Sequence, residues 1–150
     1  MILVSACLAG RPCRYDGRLS PSPELISFLK GRRWFAVCPE QLGGLATPRP
    51  PARLSGGDGL DVLRGRALVI DARGENVTLA FQTGAEITLA LARRLGATAC
   101  YLKDRSPSCG VNAFFDDDGR PRGQGVTAAL LQLAGLELLE VKAKSLGVKR

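Results

Sequence analysis

Three observations predict an α/β fold, a mostly parallel sheet with flanking helices (Rossmann-like), in one domain over residues 1–150. Short apolar runs alternate with stretches of helical period, each helical stretch carries its own stop signal, and the apolar runs end in loops bearing Gly or Pro. A chain of 150 residues hides about 70% of its unfolded surface, enough for one core.

Met1-Ile2-Leu3-Val4-Ser5 reads as a buried strand that runs into a loop of small residues. Residues 23–30 follow as a helix, with Ser22 as cap, Pro23 in the first turn and Gly31 as the stop. Trp34-Phe35-Ala36-Val37 is a second strand, ending at Cys38-Pro39. Residues 43–61 carry Gly43-Gly44, Pro48-Arg49-Pro50-Pro51 and Gly56-Gly57-Asp58-Gly59, too irregular for a helix or a central strand. A long functional loop is expected there, since it lies beside a candidate site. Ala67-Leu68-Val69-Ile70 is a further strand candidate. Residues 77–95 have apolar positions at helical spacing, Arg93-Arg94 near the end and Gly96 as the stop. Residues 97–102 form another strand, followed by the polar loop of residues 103–110. Asp116-Asp117-Asp118-Gly119 reads as a hairpin turn, because a calcium loop needs further acidic residues at spacings missing here. Residues 127–134, stopped by Gly135, are the last helix, and residues 136–141 the last strand.

Composition narrows the chemistry. The chain has 5 Cys and no His, which removes Ser-His-Asp and Cys-His triads, HExxH zinc sites and haem held by a proximal His. Thiolate and carboxylate chemistry remain. A formal charge of +7 and a pI near 9.6 favour anionic ligands, though a merely basic surface has the same composition. With 45% hydrophobic and 23% charged residues and a mean hydropathy of +0.05, the chain is neither disordered nor collagen-like. No apolar run approaches the roughly 20 residues of a membrane span. The stretch from Met1 to Ala9 lacks a basic leader and runs into Gly10-Arg11-Pro12, as a strand and turn would. A cytoplasmic location is expected, where Cys groups more often bind metals or react than pair as disulfides.

Cys7, Cys38 and Cys109 each stand just after a predicted strand. In an open parallel sheet the loops at the carboxyl ends of the strands converge on one crevice, so three thiols are placed to meet. Three unconnected reduced thiols are the competing account, and no Cys-x-x-Cys pair decides between them. Cys100 lies within a strand and reads as a small buried hydrophobe. Cys13 shares a loop with Cys7 and is a fourth ligand, a resolving thiol or, preferred here, a spectator. Three thiolates without His suit zinc or an iron–sulfur cluster. On a 4Fe-4S cube they would leave one iron open to a substrate atom, sulfur best of all.

Glu40, two residues beyond Cys38, is the carboxylate nearest in sequence to any of these thiols and is the first choice of acid/base. Ser106 and Ser108, beside Cys109, either contact substrate or water or cap their own loop. Arg14, Arg49, Lys103 and Arg105 are candidate cations for an anionic substrate, or solvated surface charges.

The strings Ser5-Ala6-Cys7-Leu8, Cys13-Arg14-Tyr15-Asp16-Gly17, Val37-Cys38-Pro39-Glu40-Gln41-Leu42-Gly43-Gly44-Leu45, Thr47-Pro48-Arg49-Pro50, Lys103 with Arg105-Ser106-Pro107-Ser108-Cys109-Gly110, and Gly125-Val126-Thr127-Ala128-Ala129-Leu130-Leu131 occur in this order over nearly the whole chain. Together they resemble the thiouracil desulfidase family. The resemblance implies a reaction without net redox change, in which a thiolated uracil base or nucleotide loses sulfide and gains oxygen from water. It implies a 4Fe-4S cluster held by Cys7, Cys38 and Cys109, with its open iron meeting the substrate's sulfur. Glu40 would relay a proton, and Ser106, with Ser108 second, would orient the base or the attacking water. Ala9 departs from an expected Leu and Val111 from a commonly polar position; neither is a proposed ligand.

Other classes compete: a zinc- or sulfide-binding module without turnover, a basic RNA-binding domain with incidental thiols, or a tRNA thionucleoside desulfidase. Aromatics make up 5% of the chain, few for stacking bases, so a free base or nucleotide is expected over nucleic acid.

Overall fold

A computed structural model describes residues 1–17, 21–112, 114–115 and 121–142. The central layer is a four-stranded sheet of β1 (Ile2–Ser5), β2 (Trp34–Val37), β5 (Ala99–Lys103) and β8 (Glu137–Val141), in the order β2-β1-β5-β8. All three pairings are parallel, with Ile2 opposite both Trp34 and Ala99, and Ala99 opposite Glu137. The apolar runs account for this: successive residues face opposite sides, and both sides are covered. Leu3 packs with Leu102, Ala92 and Leu131 on one face, whereas Val4 packs with Leu8, Leu25 and Leu29 on the other. The expected parallel α/β architecture is therefore present.

Helix α1 (Pro23–Leu29) follows its signals, since the Ser22 hydroxyl accepts from the Leu25 amide at 3.2 Å. Helix α2 (Pro39–Leu42) leaves directly from β2, and α4 (Thr78–Leu95) ends at Gly96 as its pattern predicts. Helix α5 (Val126–Leu133) precedes β8. Among the described residues no helix is long and apolar enough to cross a membrane.

Residues 43–61 differ from expectation. They are not one loop, because they contain β3 (Ala52–Ser55) and the start of α3 (Gly59–Leu63). Strand β4 (Leu68–Asp71) pairs antiparallel with β3 in a separate two-stranded sheet, so the apolar run at residues 67–70 does not join the parallel sheet. Two causes, one of tertiary packing and one local, overcome the Gly and Pro content. Leu54 and Val69 bury themselves in a second cluster with Val62, Phe81 and Val126. Asp58 caps α3 reciprocally, its carboxylate accepting from the Asp61 amide at 3.1 Å while Asp61 accepts from the Asp58 amide at 3.0 Å. The Asp116–Gly119 turn lies outside the described residues; the flanking β6 (Phe114–Phe115) and β7 (Pro121–Arg122) pair antiparallel.

One close approach positions the site. Helix α2 lies against α4 with Gly43 and Gly84 at the contact, where a Cβ on Gly84 would stand 1.9 Å from the Pro39 carbonyl oxygen and one on Gly43 2.0 Å from that of Ala80. Only backbone fits there. Gly84→Ala is expected to lower stability by about 1–3 kcal/mol through overpacking and to push the Pro39–Glu40 turn off α4. Thermal unfolding checks the first effect, and the second would show as a loss of turnover larger than the loss of folded protein.

Candidate active site

The sheet order reverses direction between β1 and β5, and the loops after β1, β2 and β5 open at that switch point. After Ser5 the chain makes a 3-10 turn over Ala6–Ala9, which carries Cys7 inward. Cys38 occupies the cap position of α2, its carbonyl accepting from the Leu42 amide at 2.9 Å, and so Glu40 falls in the helix's first turn. After β5, the Ser106 hydroxyl accepts from the amides of Ser108 (3.2 Å) and Cys109 (3.0 Å), folding the loop so that Cys109 points inward, buried.

These loops enclose a cleft of ≈ 250 Å³. Every residue singled out as a site candidate lines it: Cys7, Cys38 and Cys109; Glu40, Ser106 and Ser108; Arg14, Arg49, Lys103 and Arg105. Cys100 does not; it is fully buried in the core beneath the sheet, as a small hydrophobe. Cys13, the preferred spectator in the sequence, lines the cleft too and interacts through its thiol with Cys38 and Cys7. Its place in the loop with Cys7 was the available signal, and the Cys38 thiol also points at the Cys13 carbonyl, 3.6 Å away.

The Glu40 carboxylate is held on both oxygens. Arg49 Nε donates to Oε1 at 2.9 Å, and Ser108 Oγ donates to Oε2 at 3.0 Å. The proton directions follow from counting donors. Ser106 Oγ spends its acceptor capacity on two amides, so its own proton goes to Ser108 Oγ at 3.0 Å, and the Ser108 proton goes on toward Glu40. Cys109 Sγ lies 3.8 Å from the same Ser108 hydroxyl, a more distant acceptor. Ser108 therefore makes the direct contact with Glu40, and Ser106 stands behind it.

The cations divide by environment. Arg49 has a side chain only 6% exposed and Glu40 one only 12% exposed. Arg14 pairs with Asp16 at 3.2 Å, and the Lys103 ammonium donates to the Asp104 carbonyl at 3.0 Å. Arg105 is exposed and adopts a left-handed backbone, φ 56°. Tyr15, Pro51 and Pro107 add flat apolar wall.

Burial dominates the thiol electrostatics. Cys109 is pushed up to about 11, chiefly by burial, against which the Ser5 and Ser108 hydroxyls pull down. The contact with Cys38 lowers Cys13, but the contact with Cys7, burial and the nearby Cys7 and Cys109 charges outweigh it and raise Cys13 to about 12. Cys38 is driven well above the ordinary thiol range by its contact with Cys13 and then by burial. Among the described residues no three Cys, Asp or Glu side chains form a group suited to a single metal ion. Buried thiols from separate loops, lining a cavity without imidazole, have the donor chemistry that an iron–sulfur cluster requires.

Comparison with known proteins agrees with this chemistry. The chain is 44% identical over 142 residues to the uncharacterized protein YbbK of Bacillus subtilis (strain 168), covering 93% of this chain and 94% of that one. It superimposes with a TM-score of 0.79 on the [4Fe-4S]-dependent thiouracil desulfidase TudS, at 38% identity over 93% of this chain and 89% of the other. Residues 2–142 match the model of the 2-thiouracil desulfurase family, and it is to this family that the chain belongs.

Proposed function

We propose that this chain is a 4Fe-4S-dependent desulfidase that converts the C=S group of a thiolated uracil base or nucleotide to C=O, consuming one water and releasing sulfide without net redox change. The observation that carries the reading is the doubly held Glu40 carboxylate facing the same cleft as Cys7, Cys38 and Cys109, in a chain 38% identical to a [4Fe-4S]-dependent thiouracil desulfidase.

Cys7, Cys38 and Cys109 are the residues that would hold the cluster, one from each loop at the switch point. When bound, the cluster supplies a Lewis-acidic iron with affinity for sulfur. The remaining work falls to the chain. Tyr15, Pro51 and Pro107 offer flat apolar surface to a pyrimidine ring. Glu40 accepts hydrogen bonds on both oxygens, which aims its carboxylate to take a proton from the water that attacks the thiocarbonyl carbon. The Ser108 hydroxyl, between Glu40 and Cys109, is placed to pass that proton toward the departing sulfur. Ser106 fixes the direction of the Ser108 hydroxyl. The partner is a small molecule, with Lys103, Arg105 and the Asp16-paired Arg14 lining the cleft where an anionic substituent would lie.

Two measurements test this. After anaerobic reconstitution the wild type is expected to hold iron and acid-labile sulfide, and Cys7→Ser, Cys38→Ser and Cys109→Ser each to lose both, whereas Cys13→Ser keeps them. A wild type that takes up zinc alone and releases no sulfide from any thiouracil would instead establish a metal-binding module. Glu40→Gln should retain the visible absorbance of the cluster but lower the rate of sulfide release by about 10²–10⁴-fold; turnover at the wild-type rate would remove Glu40 from its role.

A further inference from the structure

Arg49 entered as one of four candidate cations for substrate, yet its surroundings are those of an internal brace. Its side chain is 6% exposed, and all three guanidinium nitrogens point at protein groups. Nε donates to Glu40 Oε1 at 2.9 Å; Nη1 donates to the Thr47 hydroxyl at 2.8 Å and the Ala46 carbonyl at 3.2 Å; Nη2 donates to the Cys13 carbonyl at 2.9 Å. Nη2 also stands 4.0 Å from Cys38 Sγ. One planar group thus ties together the acid/base, the turn after α2, the loop that follows Cys7, and one of the ligand cysteines.

We infer that Arg49 is a positioning residue for Glu40, not a substrate-binding cation. With Oε1 occupied by Arg49, the carboxylate presents Oε2 to Ser108 and the cleft, and free rotation about the last side-chain bond is blocked. The fork geometry matters as well as the charge, because a planar guanidinium supplies donors at fixed angles to several acceptors while an ammonium supplies a point charge. Arg49 is itself oriented by its backbone, whose amide donates to the Tyr15 carbonyl at 2.7 Å. The brace therefore spans from the Tyr15 loop to the α2 turn. A substrate phosphate competing for this guanidinium would have to displace the neighbouring carboxylate.

The inference rests on the desulfidase reading, and the test separates the two. In cluster-loaded protein, Arg49→Met is expected to lower kcat by about 10²-fold while KM for 2-thiouracil and for 4-thiouridine 5′-monophosphate stays within about threefold and iron per chain is unchanged. Arg49→Lys, which keeps the charge and one bond to Glu40, is expected to recover about tenfold of that loss. A rise in KM confined to the monophosphate, with kcat kept, would overturn the inference in favour of substrate binding. Iron lost in proportion to kcat would also overturn it, leaving Arg49 a support of the cysteine loops alone. If Arg49→Met does not fold, Arg49→Lys decides alone: a lowered kcat at unchanged KM supports the inference, and an unchanged kcat refutes it. Should the wild type turn over no thiouracil, the desulfidase reading fails, and unfolding of the whole chain then decides whether Arg49 acts through Glu40. Coupling of Arg49→Lys with Glu40→Gln by about tenfold or more in the unfolding constant supports the brace, and additive effects overturn it.

Discussion

The parallel pairing of β1 with β2 on one side and β5 on the other is the constraint on which the site depends. Parallel strands all end on the same edge of the sheet, and the reversal of strand order between β1 and β5 leaves a crevice there that no crossover helix covers. Cys7, Cys38 and Cys109 are 31 and 71 residues apart in sequence and reach one cavity only because each follows a strand that ends on that edge. Local turns then set how far each thiol projects: a 3-10 turn at Cys7, a helix cap at Cys38, and a serine-capped loop at Cys109.

Collecting buried thiols and a carboxylate in one place carries an electrostatic cost. The raised values of Cys13, Cys38 and Cys109 are that cost expressed in protonation, since burial and neighbouring thiols disfavour the charged form. Glu40 instead meets a donor on each oxygen, Arg49 on one and Ser108 on the other. The cleft thus sets a carboxylate held by two donors beside thiols that burial disfavours as anions. The basic composition, +7 overall, adds a favourable background for such anions and for anionic ligands, and charge at this level says nothing of fold.

Much of this was legible in the sequence because its causes are local. Strands β1 and β2 are uninterrupted apolar runs, and α1 and α4 carry their caps and stops within a few residues of their ends. Strand β3 was not legible, since its reason for existing is the antiparallel partner Leu68–Asp71, and Pro51 and Gly56 on either side look like loop. Helix α3 did leave a trace in Asp58 and Asp61, three apart, but Gly57 and Gly59 around the cap obscured it. In the site, the positions of the thiols and of Glu40 follow from strand ends, whereas the choice between Ser106 and Ser108, and the internal role of Arg49, depend on side-chain directions that spacing does not encode.

The β3–β4 annex, whose first strand falls where a loop was expected, is what steadies Arg49. Residues 43–51 connect α2 to β3, and a connection of that length would be free to swing if only its α2 end were tied. Its far end is fixed where the Ala72 amide donates to the Pro51 carbonyl at 2.9 Å, beside the strand pairing of Ala52 with Asp71. The Gln41 side-chain amide holds the middle through the Thr47 hydroxyl at 2.8 Å. Leu54 and Val69 in turn anchor the annex to α4 through Phe81, and α4 carries Gly84, against which Pro39, the residue before Glu40, is seated. The carboxylate and the guanidinium that grips it are therefore mounted on the same helix by two separate routes, one through the glycine contact and one through the annex core. A pair held that way keeps its geometry when either loop fluctuates, which a hydrogen-bonded pair on two unsupported loops would not.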